Sequence, residues 1–218
     1  MENNVKSLSS WFAAVLRILS VTCSETDADV VFVIDTTSSN STSFLVQQHR
    51  LLRTLKRLSN VLKGRSVRYG VIGFHRQPEL LLELESPFAT DTERVSDLIS
   101  SLKPRQSTSN SVARALDEAM SLFFESRTST ERRKVVILAH DGVNTDLVAE
   151  TLEAVSNVEK LGASTFAITG SSRPNSFALL GYTGLRERIF VSAADRANFQ
   201  DALDEVVREL MQNPAFNF

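Results

Sequence analysis

Two short runs without a polar side chain, VVFVI at 30–34 and VVILA at 135–139, constrain the fold more than anything else in the chain. A strand with one wet face alternates apolar and polar residues. A run that does not alternate must be covered on both faces, which is the condition of a central strand in a parallel sheet. Each run ends beside an acid or one residue short of it. Asp35 follows the first, with a hydroxyl-rich stretch, Thr36-Thr-Ser-Ser, behind it. His140-Asp141-Gly142 follows the second.

The segments around these runs carry a different period. From Thr42 to Leu62, Phe44, Leu45, Leu51, Leu52, Leu55, Leu58 and Leu62 recur at three and four, which predicts a long amphipathic helix. Val67–Phe74 reads as a strand, and Leu80–Leu84 follows too soon for a helical crossover, so these two should pair antiparallel. Helices are expected over Thr92–Leu102, Ser111–Phe124, Leu147–Leu161, Ser176–Leu180 and Phe199–Met211, and further strands over Ser164–Thr169 and Arg188–Ser192. The sum is an α/β fold: a doubly wound, mostly parallel six-stranded sheet with one antiparallel edge strand and helices on both faces.

Composition supports a self-sufficient core. The chain has 218 residues, 42% hydrophobic and 23% charged. Its net charge of −2 supplies no basic field for nucleic acid. The locally basic RLLRTLKRL, 50–58, places its charges between leucines and reads as a solvated helix face. The lone Cys23 makes neither an intrachain disulfide nor a zinc site, and no apolar stretch is long enough for a transmembrane span. Residues 1–27 have two readings. WFAAVLRILSVTC, 11–23, has the length of a signal peptide, with Val21 and Cys23 suited to a cleavage point after Cys23. Arg17 and Glu2 favour an amphipathic N-terminal helix instead.

In doubly wound sheets, ligands bind beyond the carboxyl ends of the strands, where strand order reverses. Asp35, Thr37 and Ser39, at i, i+2 and i+4, lie at such an end and Asp141 at another. Two carboxylates in one crevice are costly without positive charge between them. The donors are hard oxygens, which suit Mg²⁺, Mn²⁺ or Ca²⁺. Read alone, the hydroxyl run is better taken as a helix-capping loop and Asp141-Gly142 as a simple turn.

Asp35-x-Thr37-x-Ser39 after a buried strand, with Asp141-Gly142 after a later one, resembles the von Willebrand factor A-type domain and the integrin inserted domain. The likeness covers residues 28–211, leaving 212–218 as a tail. It implies adjacent first and fourth strands and a metal-ion-dependent adhesion site. Thr37, Ser39 and a second-loop hydroxyl would be direct ligands, with Asp35 and Asp141 acting mostly through water. Ser109 is the second-loop counterpart by the match of SNS to the family's TNT, with Thr108 as the alternative. His140, where the family usually has Thr, and Gly142 would stand at the rim. The implied function is a non-catalytic, adhesion-type protein-binding module. A partner's Asp or Glu would complete the cation's coordination, outside the cell if the N-terminus is a signal and inside otherwise. The alternative is a metal-independent scaffold with a degenerate site. An enzyme is disfavoured: Thr37 stands where an aspartyl-phosphate enzyme needs a second acid, and neither GxxxxGK[ST] nor Gly-x-Ser-x-Gly occurs.

Overall fold

The computed structural model describes residues 27–37, 41–107, 109–126 and 132–190, together with Val206. Among them are β1 (Ala28–Asp35), α1 (Ser41–Val61), β2 (Val67–Phe74), β3 (Pro78–Leu82), α2 (Thr92–Ser101) and α3 (Val112–Glu125). β4 (Arg133–Ala139), α4 (Val148–Lys160), β5 (Ala163–Ile168), α5 (Ser176–Thr183) and β6 (Ile189–Phe190) follow. The expected closing helix over Phe199–Met211 lies outside the described residues except for Val206, which is helical and buried.

The strands form one six-stranded sheet in the order β3-β2-β1-β4-β5-β6. Every neighbour pair is parallel except β2 and β3, so the antiparallel strand sits at the edge. The third strand begins two residues earlier than Leu80, because Pro78 and Glu79 already pair with Phe74 and Gly73. The chain leaves β1 towards β2 on one side and returns as β4 on the other. Strand order therefore reverses between β1 and β4, which pair from Ala28↔Arg133 to Ile34↔Ala139.

Pleating explains why the β1 run has no polar member. Val30, Phe32 and Ile34 point into one core with Leu51, Leu55 and Leu58 of α1 and Val95 and Ile99 of α2. Val31 and Val33 point into the other, with Leu116 and Ala119 of α3, Val155 of α4 and Leu179 of α5. Successive side chains face opposite ways, so every position in the strand meets a helix layer.

One exception to the solvated-face reading, Arg50, and the nearby Gln47 fix α1 in place. Arg50 is buried rather than exposed, and its guanidinium donates to the Thr169 carbonyl at the end of β5. Burial lowers its pKa. Gln47 Nε2 donates to the Asp35 carbonyl at 3.3 Å. Arg53, Lys56 and Arg57 do face solvent. Gly170 lets the β5 end approach the first turns of α1: a Cβ there would lie 1.9 Å from the Ser43 carbonyl oxygen. A Gly170→Ala variant must push α1 off the strand ends. It is expected to lose about 3 kcal/mol of unfolding free energy in a urea titration.

Candidate metal centre at the strand-order reversal

Asp35 is the last residue of β1 and is buried. Its side chain is held from both sides. Oδ1 accepts from the Thr37 backbone N–H at 2.7 Å and the Thr37 hydroxyl at 2.5 Å, closing a tight turn. Oδ2 accepts from Asn110 Nδ2 at 3.0 Å and faces His140 Nε2 at 3.4 Å. Burial pushes the carboxyl up from its ordinary 3.8, while His140, the two Thr37 donors and Asn110 pull it down. Folding thus disfavours the charged form, which selects for positive charge nearby.

The backbone beyond Asp35 is pinned. Thr36 donates both N–H and hydroxyl to the Phe74 carbonyl, each at 2.8 Å, and the Thr36 carbonyl accepts from Arg105 N–H at 2.7 Å. Thr37 and Arg105 form a parallel bridge. The loop after β1 is thereby joined to the segment that leads into the second loop.

His140 follows β4 directly and is fully buried between the rings of Phe74 and Tyr182, with centroids at 6.0 and 5.8 Å. Its Nδ1 accepts the Gly142 N–H at 3.0 Å. The ring proton therefore sits on Nε2, the nitrogen that faces Asp35. The rim position expected for His140 is corrected by this burial: the imidazole is a floor beneath the crevice.

Asp141 is half-buried, and its Oδ1 accepts the Val143 N–H at 2.9 Å. Gly142 has a φ of +84°, and a Cβ on it would lie 2.5 Å from the Asn175 carbonyl oxygen. The Asp-Gly turn thus packs against the loop after β5, where Asn175 N–H donates to the Asp141 carbonyl at 2.8 Å. Ligand atoms of Asp35, His140 and Asp141 all lie within 4.8 Å of one another. The field here is negative. Burial first, then the charges of Asp146, Asp141 and Asp35, raises the Tyr182 phenol well above its ordinary pKa.

The second loop supplies a residue that sequence reasoning passed over. Ser111 caps α3, accepting the Arg114 N–H. Asn110, immediately before the cap, turns its amide into the crevice and is buried. Ser109 lies further out, its hydroxyl 3.2 Å from Thr145 Oγ1. Thr145 also donates its N–H and hydroxyl to the Asn110 carbonyl. Asp35, Thr37, Asp141, His140 and Gly142 thus meet at one crevice, whereas the Ser109 hydroxyl is placed against Thr145. Ser39 and Thr108 lie outside the described residues. The cap at Ser111 fixes where the second loop ends, but no sequence signal singles out the amide of Asn110.

With this geometry in hand, comparison with known proteins is informative. The von Willebrand factor type A domain profile matches residues 29–205. No curated protein matches the chain. Among solved structures, manganese-loaded TRAP protein of Plasmodium vivax superposes with a TM-score of 0.65 at 16% identity, over 85% of this chain and 74% of that one. BatB from Bacteroides thetaiotaomicron gives 0.63 at 16% identity, over 85% of this chain and all (100%) of its own. Proximal thread matrix protein 1 of the mussel byssus gives 0.65 at 16% identity and 85% coverage, and the chain spans only 47% of its length. At such identities these likenesses carry the fold. The profile match over most of the sequence carries the family: the chain belongs to the von Willebrand factor type A domain family.

Proposed function

We propose that the chain is a protein-binding module that grips an acidic partner residue through a divalent cation in the β1–β4 crevice. The observation that carries this is the convergence of Asp35 and Asp141, with His140 beside them, at the point where strand order reverses. Two acids in a half-buried, negatively charged crevice fit a cation and little else.

Thr37 and Ser39 would be direct ligands, with a second-loop hydroxyl, Ser109 or Thr108. Asp35 and Asp141 would orient the cation's waters. A hydroxyl-rich set suits Mg²⁺, Mn²⁺ or Ca²⁺ and leaves room for a partner's Asp or Glu. Two similar structures are described with metal, TRAP as manganese-loaded and the byssus protein with a zinc-occupied adhesion motif. The proposed action is binding, not catalysis, and the proposed setting is extracellular. Among the described residues no helix is long and apolar enough to cross a membrane.

A native-state ligand raises stability by mass action, about 2.7 kcal/mol at a hundred times its Kd. Millimolar Mg²⁺ or Mn²⁺ is therefore expected to raise the wild-type melting temperature in differential scanning fluorimetry, reversibly with EDTA. An unchanged melting curve contradicts the proposal. A second reading, a metal-independent scaffold, has one observation in its favour: Asp35 already has hydrogen-bond donors on both oxygens. It requires partner binding that EDTA leaves untouched.

A further inference from the structure

We infer that Asn110 is a built-in competitor of the cation: its amide NH₂ stands against the Asp35 carboxylate and the Thr37 hydroxyl that the cation and its waters need, and must turn away before the metal enters. The inference rests on the metal-binding reading above.

The amide nitrogen stands beside Asp35 and Thr37, two of the residues proposed to hold the cation. Nδ2 is 3.0 Å from Asp35 Oδ2, 3.2 Å from Thr37 Oγ1, 2.9 Å from the Val143 carbonyl oxygen and 3.3 Å from His140 Nε2. An NH₂ group has two hydrogens, so the nearest oxygens, Asp35 Oδ2 and Val143 O, take them. These partners come from the segments after β1 and after β4, and Asn110 itself from the loop before α3. One positively polarised group thus joins the segments that a cation would join.

The position is fixed from behind. The Asn110 carbonyl holds Thr145 through two hydrogen bonds, and Ser111 begins α3 at the next residue. The side chain cannot leave by moving its backbone without undoing the helix start. It must instead rotate and give up its bond to Asp35. A cation thus competes with a charge-assisted hydrogen bond inside a buried pocket, where such bonds are strong.

Replacing the amide should therefore tighten metal binding. N110A removes the competing N–H groups. N110S also presents a hydroxyl oxygen, too short to reach Val143. Mn²⁺ titration followed by electron paramagnetic resonance is expected to show both variants, each checked for a cooperative melt, binding about tenfold tighter than wild type, or 1.4 kcal/mol. In wild type, saturating Mg²⁺ is expected to shift the Asn110 side-chain amide resonances in a ¹⁵N–¹H spectrum, a readout that needs no variant. Wild-type Mn²⁺ binding with N110A equal or weaker, or amide resonances unmoved at saturating Mg²⁺, overturns the inference and leaves the metal reading standing. Mn²⁺ binding by none of the three proteins overturns both.

Discussion

Replacing Asp29 by Ala is expected to lower the unfolding free energy by about 3–5 kcal/mol, enough to unfold a marginal domain. Asp29 lies at the start of β1, at the pole of the sheet opposite the crevice, and its side chain is 1% exposed. Arg68 of β2 grips it with two bonds, Nε to Oδ1 and Nη2 to Oδ2, both 2.8 Å. Arg132, just before β4, adds Nε to Oδ1 at 2.8 Å and donates onward to the Ala28 and Ser66 carbonyls. One carboxylate thus compensates two buried guanidinium groups and fastens β1, β2 and β4 together. Removing it leaves the two buried cations to half-exposed carboxylates, Glu85 beside Arg68 and Asp27 beside Arg132. Glu85, a half-exposed partner of the same Arg68, is the control. Its replacement by Ala should cost about 0–1 kcal/mol, because water replaces its bond. Urea denaturation of the two variants checks the contrast. Equal losses would mean that burial of the Asp29 cluster is not what stabilises it.

Replacing Asp35 by Ala is expected to weaken divalent-cation binding by about 10–100-fold, the usual cost of losing a carboxylate that orients a metal's inner sphere. The mechanism is local. Asp35 holds the Thr37 hydroxyl and backbone N–H on one oxygen and faces Asn110 and His140 with the other. Without it, Thr37 loses the turn that aims its hydroxyl, and the crevice loses a negative charge. Isothermal titration with Mn²⁺ reads the loss directly, and a wild-type-like affinity in the variant would remove Asp35 from the site. Stability of the metal-free variant should change less. Deleting a buried, pKa-raised acid relieves a desolvation penalty while leaving donors unpaired, and these terms oppose each other.

Much of the fold was legible in residue order, for physical reasons. Val30–Ile34 could only be a strand covered on both faces, and the structure divides its side chains between two helix layers. The short connection from Phe74 could only turn back, and β3 does pair antiparallel. What stayed hidden depends on long-range meetings of charges. No periodicity reveals that Arg68 and Arg132 converge on Asp29, or that Arg50, placed among leucines of α1, reaches the end of β5. At the crevice, the strand ends marked Asp35 and Asp141 because acids at buried strand ends are costly. The second loop was harder. Ser107 to Ser111 offers several similar hydroxyls, and the side chain that turns inward, Asn110, is an amide that no hydroxyl pattern singles out. His140 was visible beside Asp141, but its burial follows from Phe74 and Tyr182 closing around it.

The central claim is that a hard cation binds between the ends of β1 and β4. Anomalous diffraction from crystals grown with Mn²⁺ tests it most directly. The account predicts one strong anomalous peak in the crevice, at metal–oxygen bonding distance from the Thr37 hydroxyl and one water layer from Asp35 and Asp141. A crevice without such a peak, in crystals whose mother liquor holds millimolar Mn²⁺, would contradict it.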